Sequence, residues 1–182
     1  LPTGQLADTK EGDPQQRLFG KGPKVPNKIT LPDKLSPVGR LDQASEGLLL
    51  FTNDTEWAEL VTAPASHVEK TYHVQINRLA DAVLCQQLKT GVAVEGEMLN
   101  VKRVSILRGG DKNSWLEITL DEGRNRQIRR LLGGCGIDVL RLIRVAVGSL
   151  QLGQLAKGQW RHLTLREIAL LRAPDQRKAK EG

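Results

Sequence analysis

The chain has few aromatic residues: two Phe, three Trp and one Tyr in 182 residues, or 3%. A core built from it must therefore rest on Leu, Val and Ile. Cysteine is scarcer still. Cys85 and Cys135 stand far apart in sequence, with no Cys or His at ligand spacing. This excludes a disulfide scaffold and a zinc site, and both read as reduced thiols of a cytoplasmic protein. No apolar run reaches the length of a membrane span, and no signal-peptide pattern opens the chain. There is no glycine-rich nucleotide loop and no cluster of metal-ligating side chains. The expectation is no cofactor and no metal, so that side chains alone carry the chemistry.

Positive charge is abundant. Lys and Arg outnumber Asp and Glu by 27 to 21, giving a formal net charge of +6 and a calculated pI near 9.5. That balance favours a polyanionic partner, of which nucleic acid is the commonest. The length suits one good-sized domain or two closely packed halves.

Residues 1–36 hold five prolines and many charges, and read as a poorly defined N-terminal segment partly packed on the rest of the chain. Further on, Asn53 or Asp54 caps a helix through Val61, with Trp57, Leu60 and Val61 on its apolar face. A second helix runs from Ala80 to Thr90, with Val83, Leu84 and Leu88 inward and Gly91 closing it. Strands are expected at Val92–Val94, Met98–Leu107 and Trp115–Leu120. Arg108–Asn113 reads as a charged loop. Thr164 and Glu167 form a capping box for a last helix, Leu165–Leu171. Residues 174–182 are a charged tail of disordered composition. Many short strands with a few helices and no regular strand–helix alternation argue α+β with a mainly antiparallel sheet.

Four stretches carry chemistry. In Gly39-Arg40-Leu41-Asp42-Gln43-Ala44-Ser45-Glu46-Gly47, Arg40 and Asp42 are two apart. In an extended segment this sets a cation and a carboxylate on one side, ahead of a Gly47 turn and a buried strand from Leu48 to Phe51. The plainer reading is a turn capped by Asp42 beside a solvated Arg40. In Glu69-Lys70-Thr71-Tyr72-His73-Val74-Gln75-Ile76, alternation marks a half-buried strand, and Tyr72 in line with Val74 and Ile76 reads first as core. Asp121–Gly134 places Arg124, Arg126, Arg129 and Arg130 within seven residues. Asn125 is a plausible cap there, with Ile128, Leu131 and Leu132 inward. Such crowding suits either a solvated basic helix or a clamp for phosphate and carboxylate. Asp138–Gly148 is a β-rich run interrupted by Arg141 and Arg144.

Taken together, these stretches resemble the RsuA-type ribosomal RNA pseudouridine synthases. The matches are Gly-Arg-Leu-Asp-x-x-Ser-x-Gly-Leu-Leu-Leu, Glu-Lys-x-Tyr, Glu-Gly-Arg-x-x-Gln-Ile-Arg-Arg and Leu-x-Arg-x-x-x-Gly. A closing Leu-x-x-Leu-x-x-Gly-x-Trp-Arg-x-Leu follows. The resemblance spans about Pro37 to Leu171. It implies a bent, mainly antiparallel mixed sheet with flanking helices and a central RNA-binding cleft, in a catalytic domain over 37–173. It implies Asp42 as the catalytic residue, Arg129 as its ion-pair partner and Tyr72 over the flipped base. It further implies RNA or substrate contacts from Arg40, Lys70, Arg124, Arg126, Gln127, Arg130 and Arg144, with Leu142 as the floor under the base. The expected partner is ribosomal RNA, at a uridine in a stem or loop, with 23S favoured over 16S. The protein is expected to act as a monomer and to need no small-molecule cofactor or membrane. The small S4-like domain of many relatives is not recognised ahead of the motif, as in the RluE-like branch. Two other readings stand beside this one. A non-catalytic RNA-binding module could use the same scaffold. A hydrolase pairing Asp42 with Glu46 or Asp54 fits poorly, because three acids beside an Arg are not evidence of a pair.

Overall fold

The computed structural model describes residues 34–124 and 126–172. They form two units: one from residue 34 to Val68 together with Val145 to 172, the other from Glu69 to Arg144.

In the first unit, β1 (Ser36–Val38) pairs antiparallel with β3 (Leu50–Thr52), setting Val38 opposite Leu50. The apolar run after the Asp42 loop is not one strand. It divides into β2 (Glu46–Gly47) and β3, with Leu48 and Leu49 between them. All three residues of β3 are buried, as a continuous apolar run requires. Helix α1 (Thr55–Thr62) is capped by Asp54, whose carboxylate accepts the Trp57 N–H at 3.0 Å. Trp57 and Val61, one turn apart, are buried. Leu60 is 46% exposed instead of facing the core, because it lies about 100° from Val61 around the helix axis. The Trp57 indole N–H donates to the Ile168 carbonyl of α4 (Leu165–Arg172) at 3.3 Å.

The α4 capping box forms as expected. The Glu167 carboxylate accepts the Thr164 N–H at 3.0 Å, and the Thr164 hydroxyl accepts the Glu167 N–H at 3.2 Å. Leu48, Leu50, Trp57, Val61, Val147, Leu150, Ile168 and Leu171 belong to this unit's core. Strand β10 (Leu150–Gln151) folds back on the end of β9 (Val139–Val147). The turn is made at Gly148, whose φ is +56°. A Cβ there would meet Leu171 Cδ2 at 2.9 Å and Val68 Cγ1 at 3.5 Å. Backbone angle and space both demand glycine.

The second unit is built on a sheet whose strands lie in the order β9, β4 (Lys70–Ile76), β8 (Ser114–Leu120) and β7 (Arg103–Gly109). β4 and β8 pair antiparallel over seven residues, from Lys70 opposite Leu120 to Ile76 opposite Ser114. β7 pairs antiparallel with the other edge of β8, with a register shift between Ile106 and Arg108. Helix α2 (Ala82–Thr90) is capped by Asp81 and buries Leu84 and Leu88. Val83, expected inward, is 76% exposed. Only the i, i+4 row of Leu84 and Leu88 faces the core, and Val83 sits about 100° away.

The expected long strand from Met98 to Leu107 is also divided. β5 (Val92–Val94) and β6 (Glu97–Leu99) make a hairpin. The chain then turns, donating Val101 N–H to the Leu88 carbonyl, before β7 joins β8. One apolar stretch thus serves two different partners. The strand after it continues to Gly109, which shortens the expected loop. Helix α3 (Gln127–Gly134) buries Ile128, Leu131 and Leu132 against Val74, Ile76, Leu116, Ile118 and Leu142. The expected cap Asn125 lies outside the described residues. Arg126 precedes the helix in a left-handed conformation, φ +50°, and makes no side-chain capping bond.

Candidate functional site

The first unit presents the Asp42 loop. Gly39 has φ +74°, a left-handed turn that suits glycine. The Ser45 N–H donates to the Asp42 carbonyl at 2.8 Å, closing a turn over Asp42–Ser45. Arg40 is exposed and Asp42 half-buried, while Ser45 and Glu46 behind them are buried. The loop is therefore anchored from below and open at Arg40, the arrangement that holds a reactive group on a rigid base.

The second unit presents two clusters of cations. The first lies on β4 and β9. Lys70 and Tyr72 are two apart on one strand and share a face. Arg144 of β9 is buried, 7% exposed, with the Tyr72 hydroxyl beside its guanidinium. Burial pushes the guanidinium below its ordinary value, and the Tyr72 oxygen acts in the opposite direction. The Lys70 ammonium is likewise pushed down, first by burial and then by the Arg144 charge. Leu142, two residues before Arg144, is buried in the core of this unit. Two sequence motifs hold Lys70 with Tyr72 and Leu142 with Arg144, and the fold brings Lys70, Tyr72 and Arg144 together.

The second cluster surrounds the start of α3. Glu97 accepts from Arg124 on one carboxylate oxygen and from Arg130 on the other, each at 2.7 Å. Glu122 accepts a second bond from Arg124 at 2.7 Å. Arg130 holds the Glu97 carboxyl below the usual range, and Arg124 adds to the effect. Gln127 is buried, and its amide donates to the Asn100 carbonyl at 2.9 Å. Gln127 is therefore a strut of the fold at that atom. Arg126 is exposed and Arg129 half-buried.

Sequence reasoning missed two carboxylates. Glu97 ties β6 to two arginines of the basic stretch. Glu69 holds Lys102 and Arg103, each at 2.6 Å. Hydrogen bonding from Arg103 leads in lowering the Glu69 carboxyl to about 2. Its place in the Glu-Lys-x-Tyr stretch was the available signal. Neither cysteine is in a disulfide; both are half-buried, and burial leads in raising both thiols.

An α+β arrangement with an antiparallel core sheet, an aspartate loop and a Tyr–Arg pair on adjacent strands is the pseudouridine synthase fold. The family model for RNA pseudouridylate synthase matches residues 13–133. The chain is 38% identical over 141 residues to an uncharacterized RNA pseudouridine synthase of Aquifex aeolicus, covering 78% of this chain and 57% of that protein. It is 34% identical over 172 residues to ribosomal large subunit pseudouridine synthase B of Haemophilus influenzae, covering 94% and 47%. A solved pseudouridylate synthase superposes with a TM-score of 0.67 at 33% identity, covering 76% of this chain and 60% of that one. An H/ACA ribonucleoprotein bound to a substrate RNA shares the fold at 16% identity, with a TM-score of 0.54. The chain belongs to the RNA pseudouridylate synthase family. It spans about half the length of the curated relatives it matches. Among the described residues, no helix is long and apolar enough to cross a membrane.

Proposed function

We propose that this protein isomerises a specific uridine of ribosomal RNA to pseudouridine in the cytoplasm, with 23S RNA as the favoured target. The reading is carried by family membership together with an aspartate at the motif's catalytic position, on a loop anchored by buried Ser45 and Glu46. The reaction breaks the bond from ribose C1′ to uracil N1, turns the base, and joins C1′ to C5. N1 gains a proton and C5 loses one, so atoms and electrons balance without a redox partner. Asp42 is the anion that meets the reacting nucleoside, and Arg129 keeps it charged and oriented. The base must leave its stack, at a cost of a few kcal/mol. Arg40 enters the vacated place. Tyr72, fixed by Arg144, lies over the base, with Leu142 beneath it. Lys70, Arg124, Arg126 and Arg130 meet phosphates, which position the RNA without reading its sequence.

The chain acts as a monomer in this reading, in one catalytic domain over 37–173. The names of the ribosomal large subunit relatives support the choice of RNA.

Tritium release from C5-labelled uridine in ribosomal RNA tests the reaction. The parent protein should release tritium, and Asp42→Asn, nearly isosteric but unable to ionise, should not. Turnover by a folded Asp42→Asn protein within a few-fold of the parent would remove Asp42 from the role. A parent that binds RNA and releases no tritium would instead favour the non-catalytic binding module.

A further inference from the structure

The second unit's sheet has a face that the reaction does not use. Along β4, Lys70, Tyr72, Val74 and Ile76 point to one side, and Thr71, His73 and Gln75 to the other. Val74 and Ile76 are fully buried, so the first side is the core side.

On the other side the register builds three rows. Arg103, Thr119 and Thr71 form one, with the two threonine hydroxyls 3.2 Å apart. Ser105, Glu117 and His73 form the next, with His73 Nε2 2.9 Å from a Glu117 carboxylate oxygen. Arg108, Trp115 and Gln75 form the third. The register shift at Leu107 is what brings Arg108 opposite Trp115.

The guanidinium carbon of Arg108 lies 4.8 Å from the centre of the Trp115 ring, and that of Arg141 lies 5.8 Å from it. Both are within cation–π range. A tryptophan whose task is packing would point inward with its neighbours Leu116 and Ile118, which are fully buried. Trp115 stands on the opposite side, half-buried among exposed Arg103, Ser105 and Arg108.

An aromatic ring flanked by two guanidiniums offers a π-face for a base and cations for the adjoining phosphates. Gln75 adds an amide for a base edge. The one carboxylate of the rows, Glu117, is fastened to His73. The chain's net charge of +6 favours the same occupant.

We propose that the Trp115 face is a second RNA-binding surface, which takes a single-stranded segment flanking the modified uridine by stacking on Trp115 between Arg108 and Arg141. This rests on the reading that RNA is the substrate. It adds a contact surface distinct from the residues assigned to the reaction.

The test is equilibrium binding of a short fluorescein-labelled oligouridylate to the whole chain in an Asp42→Asn background, where no turnover intervenes. Trp115→Ala should weaken binding by about five- to 100-fold, the worth of one stacked base, and Trp115→Phe should retain most of it. Arg108→Gln and Arg141→Gln should each lower the slope of log affinity against log salt by about 0.7. Far-ultraviolet dichroism confirms that each variant is folded, and the Phe and Gln variants keep the test open should Trp115→Ala fail to fold. Binding by folded Trp115→Phe, Arg108→Gln and Arg141→Gln proteins with affinity and salt slope unchanged would overturn the proposal. So would oligoglutamate competing as well as oligouridylate, which would assign the face to an acidic protein. Tritium release by proteins with an intact Asp42 separates this from the reading it rests on. A parent that releases no tritium sinks the isomerase and leaves the binding result standing. Normal tritium release by the parent with no binding loss in the face variants sinks only the surface.

Discussion

The two cation clusters of the second unit use the same residue type in opposite surroundings. Arg144 is buried, lies beside a phenol hydroxyl, and is pushed toward its neutral form by desolvation. Arg124 and Arg130 are partly exposed and answered by the carboxylate of Glu97. The field of a buried guanidinium is little screened by water. An exposed guanidinium already facing a carboxylate must exchange that anion for another. On the proposed function, the comparison sets a candidate for the chemical step against candidates for RNA binding.

Arg144→Met gives the largest expected effect. Single-turnover rate at saturating RNA should fall by about 100-fold or more, as for loss of a preorganised donor. Far-ultraviolet dichroism should show the variant folded, so that the rate loss is read on native protein. Arg130→Met should instead weaken RNA binding a few-fold and lower the salt slope by about 0.7 to 0.9. Equal rate losses in the two variants, measured on saturated complexes, would abolish the distinction.

Glu97→Gln sharpens the same comparison with a smaller effect. It removes the carboxylate shared by Arg124 and Arg130, while Glu122 still accepts from Arg124. Affinity at low salt should rise a few-fold, with the salt slope steeper by up to about one. A salt series that coincides with the parent's would mean that these arginines serve the fold alone.

Sequence patterns revealed this division only in part. Tyr72 and Arg144 stood out because each falls in a motif, and the Thr164–Glu167 box was legible because capping is local. Glu97 was not legible as an anchor. Its partners lie 27 and 33 residues further along, and no periodicity links a hairpin turn to a helix that distant. Val83 and Leu60 were misplaced for a different reason. A short helix offers three or four apolar positions, and only packing decides which pair forms the inward row. Nor could composition show that Met98–Leu107 must change partners midway. That depends on where β5 and β8 stand.

The smallest effect is on acid stability, and it concerns the carboxylates that answer these cations. Glu69 lies at about 2, and Glu97 and Glu167 are also lowered, each led by hydrogen bonding from an arginine. A carboxyl lowered in the folded state contributes fully above its unfolded value, near 4.5, and loses that contribution as pH falls toward the folded value. Thermal midpoints should therefore be flat above about pH 5 and decline below pH 4.5. Glu69→Gln should flatten that decline slightly, by under about 1 kcal/mol, because water screens the half-exposed pair. A decline identical in parent and variant would show that Glu69 does not contribute.

The turn at Gly148 is a phase marker for β9. Backbone angle and the nearby Leu171 and Val68 side chains pin the strand at that point. Counting back from it fixes which residues point to which side, since sides alternate at every step. Leu142 and Ala146 are buried on the same side of β9 as Arg144, which lies four residues before Gly148. Deleting one residue between them would rotate the preceding strand by half a turn about its axis relative to Gly148. Ile143 would then occupy the place opposite the Tyr72 hydroxyl. A single-residue deletion at 145 or 146 should thus remove the Tyr72–Arg144 contact without touching either residue, whereas Val145→Ile should leave it in place.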